Sequence, residues 1–177
     1  MIEPKERIAL VVGAVCALLL QIVLSPNIAI AYAMPNFVAA YVLVVAVLRP
    51  GRPPLALAFV LGLAYNLFAG GPVGAMAFLL VLAAFIASRA FQVLANDALL
   101  MPLATLVVAS VAVEFLYGAL VVATGSTDVG LLDALVTRAL PCALYDCVAA
   151  LVLFPIVMKL VVRTGAPKSP LETPNLR

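Results

Sequence analysis

Three runs of this chain, residues 8–24, 36–48 and 55–69, contain no charged side chain, and three more, residues 73–94, 99–123 and 132–162, are almost as apolar. A backbone placed in lipid must satisfy its own N–H and C=O groups, and runs of this kind do so as helices. About 20 apolar residues make one crossing, so 177 residues hold five or six spans and little else. Hydrophobic content is 67%, against about 45–50% in soluble domains. The chain therefore reads as an all-α integral membrane protein. Residues 1–163 make one compact bundle of six transmembrane helices, and residues 164–177 a disordered cytoplasmic tail with three prolines and no apolar face. The first run has the outline of a signal peptide, but no small-residue cleavage site followed by soluble sequence, and reads as a retained helix. The second and third are short for a bilayer, which implies that flanking residues extend them or that other helices shield them. Between the first two, SPNIAIAYAMP is too short to span and reads as an external loop or a re-entrant piece.

The basic residues orient the bundle, because short cytoplasmic loops collect Lys and Arg. With the N-terminus inside, Lys5, Arg7, Arg49, Arg52, Arg89, Lys159, Arg163, Lys168 and Arg177 fall on the inner side, and Arg138 is the lone basic residue near the outer boundary. Both termini are then cytoplasmic. Asp128 and Asp133 occupy an outer loop. A net charge of +2 gives no reason to expect a nucleic-acid partner.

Polar groups inside the apolar runs are few. Glu114 lies nine residues inside the outer end of the fifth run, about 14 Å deep at 1.5 Å per residue. A charge at mid-bilayer costs about 2.5–3.5 kcal/mol on insertion scales, so Glu114 is protonated or paired within the bundle. Arg138 is its nearest partner in depth, and Asp146, eight residues further along that helix, is a second buried acid. Glu114, Tyr117, Arg138 and Asp146 read as a polar cluster that fixes helix order. A site that handles a proton or a ligand is the sharper reading, although two acids without a histidine make a thin relay.

Gly62, Asn66, Gly70 and Gly74 recur every four residues and describe a smooth seam with one amide, suited to close helix packing or to docking a partner's helix. Ala9, Gly13 and Ala17 make a second seam on the first helix. Gly70-Gly71-Pro72 marks a tight outer turn. It lacks the Lys-Ser/Thr of a phosphate loop. Cys16, Cys142 and Cys147 have no metal-ligand spacing and the chain has no histidine, so they read as packing residues. No catalytic constellation, metal site or cofactor motif is present, and an enzyme is unsupported.

Pro35-Asn36 opening a helix, Phe59-Val60-Leu61-Gly62-Leu63 running to Asn66, and Gly70-Gly71-Pro72-Val73-Gly74 opening the next resemble the rod-shape-determining MreD family. The likeness is strongest over residues 34–91. In that family the position of Asn66 is usually aspartate, so this chain carries the uncharged isostere. The resemblance implies a non-enzymatic scaffold of the bacterial cytoplasmic membrane. Such a subunit belongs to the cell-elongation complex, binds an MreC-like single-span protein, and connects with an MreB-type cytoskeleton and a peptidoglycan synthase pair. No cofactor is implied, and membrane lipid is the remaining partner. It also implies a fold like the six-helix S components of energy-coupling-factor vitamin transporters, which supplies the alternative function. Against that alternative stands the poverty of polar groups in the outer half.

Overall fold

The computed structural model describes residues 4–30, 33–94 and 100–165. These form six helices and no sheet. Helix α1 is Pro4–Leu19, extended by a π turn at Leu20–Leu24 and a 3-10 turn at Ser25–Ile28; α2 is Phe37–Leu48, α3 Leu55–Ala69, α4 Ala75–Leu94 and α5 Leu100–Ala123. Helix α6 begins as Leu131–Ala134, passes through a second π turn at Leu135–Ala139 and continues as Leu140–Gly165. Three segments, Pro4–Ile28, Met101–Ala123 and Leu131–Leu160, are long and apolar enough to cross a membrane unaided. Residues 166–177 of the expected tail, with Lys168 and Arg177, lie outside the described residues.

Helix α2 is the axis of the bundle. Its sequence, FVAAYVLVVAVL, is apolar on every side, which suits a helix surrounded by others rather than one with a solvent face. All residues from Phe37 to Val47 are buried. Valine's stiff χ1 lowers its helix propensity slightly, and burial on all sides overrides that preference. The other five helices all pack on α2. Helices α3 and α4 form a close hairpin, and α5 lies between α4 and α6. Complete enclosure explains why 12 residues suffice here: the neighbours, not lipid, cover the ends of α2.

One end of the bundle is tied by polar contacts. Arg49 Nη2 meets Glu6 Oε1 at 2.9 Å, with both side chains largely buried. Ser88 Oγ accepts from Gly51 N–H at 3.0 Å and donates to the Arg49 carbonyl at 3.3 Å. These contacts gather the start of α1, the α2–α3 turn and the end of α4. Arg49, one of the basic residues assigned to the inner side, is an internal partner, while Lys5, Arg7, Arg52 and Arg89 are exposed.

Exchanging the charges tests the tie. Glu6→Arg and Arg49→Glu each leave like charges in contact and should lower stability by about 1–3 kcal/mol, whereas the double exchange should recover most of the loss in thermal melting. Equal losses in singles and double would remove the ion pair as the cause.

Candidate functional site

The polar centre of the molecule forms where α2 begins. After α1 the chain reverses through paired backbone hydrogen bonds between Ile30 and Ala33 (3.1 and 2.9 Å) and re-enters the bundle at Pro35-Asn36, both buried. The start of α2 lies deep beside three of its neighbours, while the first turn of α4 is close by, with Met76 Sδ 4.0 Å from the Asn36 amide. Gln21, Glu114 and Asp146 lie seven, nine and fifteen residues inside the ends of their own helices, or about 10, 14 and 22 Å along them. The first N–H groups of a helix have no partner within it, and burial makes each one costly to leave unmet.

Side chains from two helices and from the cap itself meet that demand. Asn36 N–H donates to Asp146 Oδ1 at 2.6 Å, Phe37 N–H to Gln21 Oε1 at 2.7 Å, and Ala39 N–H to Asn36 Oδ1 at 2.9 Å. Asn36 is thus an N-cap, which its place before an apolar run announces. Its amide turns the other way and donates to Glu114 Oε1 at 3.3 Å. Gln21 sits in the π turn of α1 and, with Ser25, donates to the Pro35 carbonyl (3.3 and 2.8 Å).

The expected quartet is therefore divided. Glu114 and Asp146 are brought together and share Asn36, which sequence reading placed at a helix start without assigning it to the cluster. Arg138 is exposed and makes no ion pair with Glu114. Tyr117 serves a neighbouring contact: its hydroxyl donates to the Gly70 carbonyl at 3.2 Å, and its ring meets Tyr65 edge-on with centroids 6.1 Å apart. It binds α5 to the α3–α4 turn.

The stripe Gly62, Asn66, Gly70, Gly74 is not one helix face, because α3 stops at Ala69. Gly70 and Gly74 lie in the turn with φ of +75° and +85° and open space where a side chain would be, so they serve the reversal and not a seam. Gly62 does pack closely. A Cβ there would fall on the backbone of Met76 and Ala77 in α4. Asn66 Oδ1 accepts Met76 N–H at 3.0 Å, capping α4 from across the hairpin. An aspartate would present the same acceptor, so the uncharged residue keeps this contact. The Ala9, Gly13, Ala17 seam is likewise spent inside the chain: Ala9 and Ala17 are buried, and Gly13 leaves room for the Tyr41 ring, whose hydroxyl donates to the Leu10 carbonyl at 2.8 Å.

Elsewhere, an apolar recess of about 340 Å³ lies between α4 and α5, lined by residues such as Leu79, Ala83, Ile86, Ala104 and Val108. It offers almost nothing polar to a ligand. Among the described residues no three His, Cys, Asp or Glu side chains cluster as a metal would require. The chemistry available at the α2 start is therefore hydrogen bonding and proton exchange.

The family model for rod shape-determining protein MreD matches residues 6–164. No curated protein and no solved structure gives a significant match.

Substitutions at two positions read these contacts out. Gly62→Ala should lower stability by about 1–3 kcal/mol, since backbone cannot yield to the new methyl group. Asn66→Ala should lose about 1–2 kcal/mol with the cap while Asn66→Asp holds the wild-type melting temperature; equal losses for both would sink the capping role.

Proposed function

The chain belongs to the MreD family, whose members determine rod shape, and from that premise we propose that it is a non-enzymatic, multi-pass scaffold of the bacterial cytoplasmic membrane. It binds an MreC-like single-span protein and, through that complex, supports lateral peptidoglycan synthesis alongside an MreB-type cytoskeleton and a synthase pair. The observation that carries this reading is the family match over nearly the whole bundle. Six crossings with both termini in the cytoplasm suit it. Support for that topology comes from the gathering of Lys5, Arg7, Arg49, Arg52 and Arg89 at the end tied by Glu6 and Ser88, as the positive-inside rule requires of a cytoplasmic face.

The partner's helix packs on an outward face, because both small-residue seams are occupied within the chain. Outward residues on α1 such as Ile8, Val11, Val15 and Leu19 are exposed and apolar, and packing there is van der Waals contact between bulky side chains. Hydrocarbon chains of membrane lipid fit the α4–α5 recess.

The test is recovery of partners. Tagged protein extracted in mild detergent should co-purify a single-span MreC-like protein, and depletion in a rod-shaped host should round the cells. Absence of both effects overturns the scaffold. Thermal stabilisation by a member of a vitamin panel would point to the transporter S component instead.

A further inference from the structure

Two carboxyl groups meet inside the bundle, Glu114 from α5 at 7% exposure and Asp146 from α6 at 0%. Both accept from the same residue, Asp146 Oδ1 from the Asn36 N–H at 2.6 Å and Glu114 Oε1 from the Asn36 amide at 3.3 Å, which holds the two carboxyls side by side. As two carboxylates they could only accept, and neither would have a hydrogen to give the other. The outer partners are already set: Asn36 N–H fills Asp146 Oδ1 and the Asn36 amide fills Glu114 Oε1. Asp146 Oδ2 remains, fully buried and without a donor among the described residues. The carboxyl held beside it by the same asparagine is that of Glu114.

The surroundings supply no counter-charge in contact. Arg138 on α6 is exposed and unpaired with either acid. The other titratable groups near the pair are Tyr65 on α3, Tyr117 on α5 and Cys142 on α6. Helices α1, α2 and α4 contribute Gln21, Asn36 and Met76, none of which titrates. Two like charges in contact in a low-dielectric interior do not both persist. A metal cation is a poor occupant, since hard cations take about six or more oxygen ligands and here both Asn36 N–H donors aim at the acids.

We propose that Glu114 and Asp146 bind one proton between them at neutral pH, forming a carboxylic acid–carboxylate pair that locks the start of α2 to α5 and α6. The proton lies on the line between Glu114 and Asp146 Oδ2 and turns two acceptors into a donor and an acceptor. The single remaining negative charge sits at the positive end of α2 and receives its first N–H. Proton and charge belong to the pair, not to either residue alone.

Infrared spectroscopy of the full chain in lipid nanodiscs tests this directly. Wild type at neutral pH should show the carbonyl stretch of a protonated carboxylic acid, because water-exposed Asp and Glu are ionised there and do not contribute. Glu114→Gln and Asp146→Asn should each abolish the band while keeping a melting temperature near that of wild type, since either amide supplies the donor that the proton provided. Absence of the band in wild type overturns the proposal whatever the variants do. Persistence of the band in both folded variants overturns it equally.

Discussion

The hydrogen bonding of the first turn of α2 is the constraint on which the rest of the molecule depends. A helix that starts about 10 Å or more inside the ends of α1, α5 and α6 has buried N–H groups that neither water nor lipid can satisfy. The chain therefore has to bring polar side chains to that depth. Gln21, Asn36 and Asp146 are those side chains, and each fixes a helix as it caps one: α1 through its π turn, α6 through its midpoint. Glu114 joins α5 to the same point through the Asn36 amide. Apolar packing holds the bundle together, but it is nearly indifferent to how far one smooth helix slides along another. The polar centre sets the registers.

Much of this was legible in the sequence. The six apolar runs became six helices within a few residues because nothing else satisfies a backbone in those surroundings, and the two buried acids were found because carboxyl groups stand out in apolar helices. What was not legible is which polar groups meet. Depth along a helix pointed Arg138 at Glu114, but the side chain is exposed and makes no ion pair with it. Asn36 could be read as a helix start, yet its second bond, to a residue 78 positions away, depends on tertiary placement alone. The four-residue spacing of Gly62, Asn66, Gly70 and Gly74 implied one face, whereas the turn at Gly70 breaks the helix and divides the motif into packing and reversal.

The two small-residue seams illustrate a wider limit of pattern reading. Small residues permit close approach but do not say of what. Gly62 admits the backbone of α4 and Gly13 the ring of Tyr41, so both permissions are used within the chain. What the bundle presents outward is bulky: isoleucine, valine, leucine and phenylalanine on α1, α3 and α4. A second membrane protein docking on these helices would meet the relief of such ridges and not the Gly62 or Gly13 seam.

The long reach of the Asn36 contacts has a consequence for biosynthesis. Helix α2 is made early, yet the acid that caps its first N–H lies 110 residues later, in the final helix. During translation the innermost helix must wait, its start incompletely paired, until α5 and α6 have emerged and docked. The centre of the molecule is therefore closed by α6 and not by the helices made before it. A chain interrupted before α6 leaves the first N–H of its innermost helix without that acceptor.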